Sequence, residues 1–435
     1  MCKKTIFAGI LLLSAVATNT WAQSGTNSPY SQFGLGIISE RSGGVGRGMN
    51  GLGIAYKEHN QVNTLNPASY AALDSLTFLF DVGLSGQLTN FEENGKRLNA
   101  KNANFEYVTA GFRLARGLGF SIGILPFTNV GYNYATSEKV SPASTDSYTS
   151  TFYGQGGIHE AYAGIGWEPI KGVAIGANAA YLWGGYDRMV TNSYSDNYVN
   201  TLSKIYSADV HSFRFDFGLQ LTARLSKKDA LTLGATYGLG RKIGGAPTCK
   251  VISYNPQTSV SDTVSYPRSG EMKLSIPTTL GVGLMWNHNG RIKLGADYTM
   301  QKWGGVEVPE YSVINGVADY RLTSGLYQDR HKVTLGAEIC PGGELSRRFF
   351  GRMRYRAGVS YATPYLKING HDGPKELSAS VGFGIPIIMK YGVSVLNISA
   401  QYVRQDCKQF ITENTFRINI GLTFNERWFE KWKVE

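Results

Sequence analysis

Strict two-residue alternation is the feature that most limits what this chain can become. From Phe213 to Leu225 one face carries Phe213, Phe215, Phe217, Leu219, Leu221, Ala223 and Leu225, and the other Arg214, Asp216, Gly218, Gln220, Thr222 and Arg224. Ile292, Leu294, Ala296, Tyr298 and Met300 likewise oppose Arg291, Lys293, Gly295, Asp297 and Thr299, and Phe416, Ile418, Ile420, Leu422 and Phe424 oppose Arg417, Asn419, Gly421 and Thr423. Successive side chains leave a strand on opposite faces, so each stretch is a strand with one apolar and one polar face. A soluble sandwich alternates too, with its polar face in water. Here the polar faces are charged and the apolar faces uniform, which fits a wet lumen inside and hydrocarbon outside.

The same reading gives about fourteen strands, at 76–88, 104–113, 118–129, 157–167, 172–183, 211–225, 230–239, 271–286, 291–303, 331–339, 353–365, 376–385, 393–403 and 415–424. Connections alternate between long ones (89–103, 130–156, 184–210, 240–270, 304–330) and short ones near 115–117, 168–171, 226–229 and 287–290. Membrane barrels have this asymmetry, with tight periplasmic turns and long external loops. The pattern weakens after Ile339, where CPGGELSRRFFGR is a long turn on the short side. The expected fold class is therefore all-β: a 14-stranded antiparallel transmembrane β-barrel, with polar outer loops such as 137–151 and 184–210.

The first residues read as a secretory leader, with Lys3 and Lys4, the apolar run Ile6 to Val16 and a small-residue exit placing cleavage after Ala22. That run is too short to span a bilayer. The net charge of +11 is spread over turns and lumen positions with no aromatic-basic module, so nucleic acid is not an expected partner. Of four cysteines, Cys2 leaves with the leader, and Cys249, Cys340 and Cys407 form neither a disulfide framework nor a metal site. His59, His159, His211, His288, His331 and His371 sit in no recognisable Ser or Asp constellation, so no catalytic residue, metal or cofactor is expected.

Between leader and first strand lies Phe33 to Ala72, where Gly34, Gly36, Gly43, Gly44, Gly46, Gly48, Gly51 and Gly53 interleave with Leu35, Ile37, Ile38, Val45, Met49, Leu52 and Ile54. It is rich in turns yet too apolar for a solvated linker, so something must bury it. A barrel interior can enclose such a segment, which makes it an N-terminal plug; a periplasmic extension of no special role is the plainer alternative. The expected organisation is a signal peptide at 1–22, a plug at 23–74, the barrel at 75–429 and a periplasmic tail at 430–435, with Trp428, Phe429 and Trp432 at the inner interface.

Gly46 to Ala55 (GRGMNGLGIA) followed by Asn66-Pro67-Ala68, then Ser275 to Gly304 with Asp297, Tyr298 and Trp303, then Tyr355 to Tyr361 and Leu377 to Phe383, resemble in their order the FadL/TodX family of outer-membrane transporters (OmpP1/FadL-like). The resemblance covers nearly the whole mature chain. It implies a plug motif of Gly46, Gly48, Gly51, Gly53, Asn66, Pro67 and Ala68, and transport of small hydrophobic compounds, fatty-acid-like or aromatic, by pocket binding above the plug and lateral release. Pro126 interrupts an otherwise good third strand. With Phe127 and Gly131 it resembles the family's lateral window, and the other reading is that Pro126 merely ends the strand near the rim. Inward Arg214, Lys293, Lys332 and Arg417 would steady a ligand carboxylate or else pair with lumen acids such as Asp216, Asp297 and Glu338. Expected surroundings are the outer-membrane bilayer and lipopolysaccharide. The family also includes scaffold or shuttle barrels of secretion and surface-attachment complexes, which leaves outer-membrane protein partners as a second reading. The long loops depart from the fatty-acid transporters in lacking a greasy capture groove.

Overall fold

The computed structural model describes residues 25–93, 95–267, 271–344, 346–389, 392–407 and 410–427. The leader, its cleavage point and the Trp428, Phe429 and Trp432 cluster lie outside them.

Fourteen strands form one closed antiparallel ring. In chain order they are β1 (Thr77–Glu93), β2 (Lys96–Ala115), β3 (Leu118–Lys139), β4 (Ser147–Ile170), β5 (Val173–Tyr194), β6 (Thr201–Arg224) and β7 (Asp229–Gly238). The second half is β8 (Thr279–His288), β9 (Ile292–Gln301), β10 (Arg330–Ile339), β11 (Arg354–Ala362), β12 (Lys375–Met389), β13 (Gly392–Asp406) and β14 (Thr412–Arg427). Each pairs with the next, and β1 closes on β14 from Thr77↔Arg427 to Glu92↔Thr412. The alternation falls as the sequence predicts. Outward Phe217, Leu233, Val282, Leu335, Val381 and Ile418 are about half exposed, while inward Arg214, Lys293, Asp297, Glu338, Asn419 and Thr423 are buried.

Three expectations are corrected. The long connections are largely β-structure: β3 to β6 have 22 to 24 residues, and Arg241–Asn255 continues the wall by pairing with the upper half of β6. Backbone pairing persists beyond the lipid-facing band, where the outward face no longer has to be apolar, so the pattern that marks a barrel strand in sequence fades before the strand does. The strand expected at 271–286 is two pieces, Lys273–Ile276 and β8, parted at Pro277. The expected strand at 353–365 stops at Ala362, ahead of Pro364.

The ring is unevenly stitched at one place. β2 pairs with β3 only from Val108↔Ile124 to Ala115↔Leu118. Beyond that, among the ring strands Lys96 to Tyr107 pairs with β1 and Leu125 to Lys139 with β4. A bulge stands at each lip of this seam: Glu106 is the extra residue of β2 against β1, and Phe127 that of β3 against β4. Bulges re-aim side chains, and here Glu106, Tyr107 and Phe127 all turn inward and are buried.

Candidate functional site

The segment from Gly25 to Leu73 runs round the inner face of this ring. Tyr70 and Pro67 lie against β3 to β5, Asn66 meets β6, Ile54 meets β7 and β8, Gly53 meets β9, Met49 meets β10 and β11, Gly48 meets β12, and Gly44 and Arg47 reach β13 and β14. Its local structure is short turns: a 3-10 turn at Pro29–Gln32 capped by Ser28, a helical turn at Gly44–Gly48, and a 3-10 turn at Pro67–Ala72 capped by Asn66.

Two glycines show how the fit is made. Gly51 has φ +89°, and a side chain there would meet the Glu40 carboxylate at 2.8 Å. Gly176 of β5 faces the Asn-Pro-Ala turn so closely that a β-carbon would lie 2.4 Å from the Pro67 carbonyl carbon. Asn66 then fixes the turn. Its Oδ1 accepts from Ala68 N at 3.0 Å, while Nδ2 donates to Ile54 O at 2.8 Å and faces Leu219 O and Ala235 O at 3.2 and 3.4 Å. Asn50 does the same on the far wall, donating to Ser360 Oγ and Ser378 Oγ at 2.8 Å and accepting from Gln401 Nε2 at 2.9 Å.

Charge completes the attachment. Arg41 and Arg214 face Glu160 and Asp216 at 2.8 to 3.3 Å. Arg47 is buried, donates to Glu106 at 2.7 Å and reaches Asn419 at 3.2 Å. Toward the short-turn end Lys293, Arg354 and Arg356 converge on Glu338 at 3.0, 3.1 and 2.6 Å, and Lys293 and Arg354 also bind Glu58 and Glu344 respectively. Each cluster balances anions against cations, as buried charge requires. Burial pushes the Glu40 carboxyl up, but Lys332, 3.0 Å away, and Arg47 outweigh it and hold it down at about 2.

The four lumen cations of the sequence analysis are therefore not one site. Arg214, Lys293 and Lys332 belong to separate ion-pair clusters. Arg417 differs: it donates to Gln87 at 2.9 and 3.1 Å and to Gln401 at 3.4 Å, with no carboxylate within 4.0 Å among the described residues. Sequence reasoning missed Arg41, Arg47, Asn50 and Glu160; only their placement in a segment or strand with an inward face could have drawn notice.

Arg417 borders a luminal cavity of about 270 Å³, walled by Gln87, Gln401, Arg330 and Lys332 on one side and by Ile38, Phe127 and Trp303 on another. Toward the long-loop end it is roofed by an apolar layer of the chain's own side chains, in which the rings of Trp303, Tyr327 and Tyr365 pack edge to face or tilted at 5.0 to 5.9 Å between centroids. Its side wall is the β2–β3 seam, and the N-terminal segment fills that seam. Ile37 and Ile38 pair with Asn129 and Thr128, Ser39 N donates to Phe127 O at 3.0 Å, Ser31 exchanges hydrogen bonds with Gly131 at 3.0 and 3.2 Å, and Asn104 Nδ2 donates to Gly25 O at 2.7 Å. Gly25 and Asn129 line both this cavity and a broad depression on the outer face. Pro126, Phe127 and Gly131 thus stand along one lip of the seam.

The family model described as BamG matches residues 1–435. No curated protein matches. Among solved structures, the CymD monoaromatic hydrocarbon channel is 17% identical, with a TM-score of 0.56 over 92% of this chain and 99% of that one. The Ralstonia pickettii toluene transporter TbuX is 16% identical, with a TM-score of 0.59 over 90% and 99%. A Pseudomonas aeruginosa FadL homologue is 12% identical, with a TM-score of 0.59 over 90% and 100%. At such identities the likeness is one of fold, and it agrees with the FadL/TodX resemblance of the sequence blocks.

Proposed function

This chain belongs to the BamG family, and we propose that it is an integral outer-membrane barrel that carries small hydrophobic compounds through its lumen and releases them sideways through the β2–β3 seam. The strands from β7 to β10 have 10 residues each, the length that crosses a bilayer with tilt. The short-turn end then faces the periplasm, after export by the leader. The segment at 23–74 acts as the plug, and Gly46, Gly48, Gly51, Gly53, Asn66, Pro67 and Ala68 seat it.

The observation that carries this reading is the shared lining. Gly25 and Asn129 line both the luminal cavity and the depression on the outer face. An apolar molecule leaving there enters lipid without rehydration. Arg417, with no carboxylate within 4.0 Å among the described residues, would hold an anionic head group. The test ties Ile37 to Asn129, which are opposite one another, through an Ile37→Cys/Asn129→Cys disulfide. Uptake of a labelled apolar compound should fall when the pair is oxidised and return on reduction; uptake indifferent to the bond would end the lateral route.

One observation favours a second reading, a scaffold or shuttle barrel in an outer-membrane secretion or surface-attachment complex. The cavity is just under the 300–1,000 Å³ usual for ligand pockets, and the apolar layer above it is filled by the protein itself. Gentle purification followed by mass spectrometry separates the two. A stoichiometric protein partner with an empty cavity favours the scaffold, and a bound apolar molecule without a partner favours transport.

A further inference from the structure

The connection from Cys340 to Met353, between β10 and β11, is the long one at the short-turn end, and its described residues are built rather than slack. Cys340 N donates to Arg291 O at 2.7 Å, Gly342 N to Gly351 O at 2.8 Å and Gly343 N to Cys340 O at 3.0 Å. Tyr355, on the outward face of β11, donates its hydroxyl to Phe350 O at 3.3 Å, which sets the turn against the lipid-facing side of the wall. What this framework holds outermost is Arg347, Arg348, Phe349 and Phe350. The two rings are 47% and 72% exposed and touch edge to face at 5.5 Å.

Arginines flank the rings along the chain. Arg347, Arg348, Arg352 and Arg291, whose side chain runs beside Gly343, have no carboxylate within 4.0 Å among the described residues. The acid of the turn, Glu344, is taken by Arg354 and His59. Exposed phenyl rings in a turn that also carries arginines without acid partners among the described residues are poorly placed in water and well placed at a membrane surface, where rings enter the acyl boundary and cations meet phosphate. The rings also continue a belt, since Tyr355 packs on outward Phe383 at 5.9 Å.

We propose that this turn is a binding site for an anionic phospholipid of the inner leaflet, with Phe349 and Phe350 among the acyl chains and Arg347, Arg348 and Arg352 on the head-group phosphate. The site rests on the outer-membrane placement proposed above. Full-length protein in mild detergent is titrated with phosphatidylglycerol or phosphatidylcholine and read by native mass spectrometry. The wild type should retain phosphatidylglycerol about tenfold better or more. Arg347→Gln/Arg348→Gln/Arg352→Gln should erase that preference, and Phe349→Ser/Phe350→Ser should weaken both lipids alike. Equal retention of the two lipids by the wild type, or a preference surviving the arginine changes, overturns the site. So does a photo-crosslinker at Phe350 that captures a protein in cells instead of lipid. Heat-modifiable migration and recovery in the outer-membrane fraction are scored for each chain. A folded wild type missing from that fraction overturns the placement, whereas one present but indifferent to lipid charge overturns the site alone.

Discussion

Asn66 does with one amide what the rest of the inner segment does with many groups. It caps its own turn and offers its NH₂ to carbonyls of the segment, β6 and β7 at once, at 0% exposure. Asn66→Asp keeps the cap but turns an acceptor toward three carbonyls. It should loosen the segment more than Asn66→Ala, which itself leaves buried carbonyls unpaired at a cost of about 1–3 kcal/mol. Limited proteolysis after residue 50 reads this, with the barrel's heat-modifiable migration unchanged; equal resistance of all three chains would deny Asn66 that role. His59 works at the short-turn mouth, 3.6 Å from Glu344 and 2.6 Å from Asp74. The Glu344 contact, against burial, and then Asp74 raise its imidazole to about 9, and the same pairing takes Glu344 down to about 2. A group raised on folding stabilises fully below its unfolded value and loses that contribution as pH rises through the folded one. The latch should therefore hold at pH 6 and weaken toward pH 10, by about 1 kcal/mol or less because both partners are half exposed. Hydrogen exchange around residue 59 should rise over that window in the wild type and be flat in His59→Gln.

At the scale of elements the seam is the informative feature, because a proline alone does not make one. Pro126 lies two residues past the last β2–β3 pair, and it is the bulges at Glu106 and Phe127 that turn the lips inward. Residues 25 to 39 then supply the strand and side-chain contacts that β2 does not. If this patch is the weak part of the wall, hydrogen exchange at Ile37 and Ile38 should be faster than in β8, β9 or β10, and Ser39→Pro, which removes the donor to the Phe127 carbonyl, should speed it further. Exchange as slow as in the continuous strands would make the seam a fixed closure. All fourteen barrel strands were legible from alternation, because a lipid face and a wet face leave opposite signatures in one stretch. Their upper extensions were not, since the outward face there meets water and no longer has to be apolar, which removes the lipid-side half of the signature. The Asn66-Pro67-Ala68 turn was visible as a motif, yet its partners were not: the matching features are inward glycines such as Gly176 and Gly234, which alternation alone reads as small lumen residues. Arg214, Lys293 and Lys332 were recognised as inward cations, but whether an inward cation is free or paired depends on which acids the closed ring and the segment bring near it.

For the molecule as a whole, the polarity of the inner wall decides what the segment is for. Asp81, Glu160, Arg214, Lys293, Glu338 and Asn419 face inward from strands all round the ring, so the barrel without its segment would have a wettable interior rather than one that collapses on itself. Wall charges such as Glu106, Glu160, Asp216 and Lys332 would lose segment partners that are now at 2.7 to 3.1 Å, yet water can replace those contacts in a way it cannot in a dry core. Deleting residues 25–73 from the mature chain should therefore leave a barrel that still assembles and migrates as a folded species, and that passes current in planar bilayers with large unitary steps. The full chain, with its apolar roof at Trp303, Tyr327 and Tyr365 and its ion-paired floor around Glu338, should be electrically silent under the same voltage. Steady conductance from the full chain would mean that the segment does not seal the lumen. A deleted chain that folds and stays silent would place the seal in the roof, and the carriage of any compound through this barrel would then require movement of the outer strands rather than of the segment.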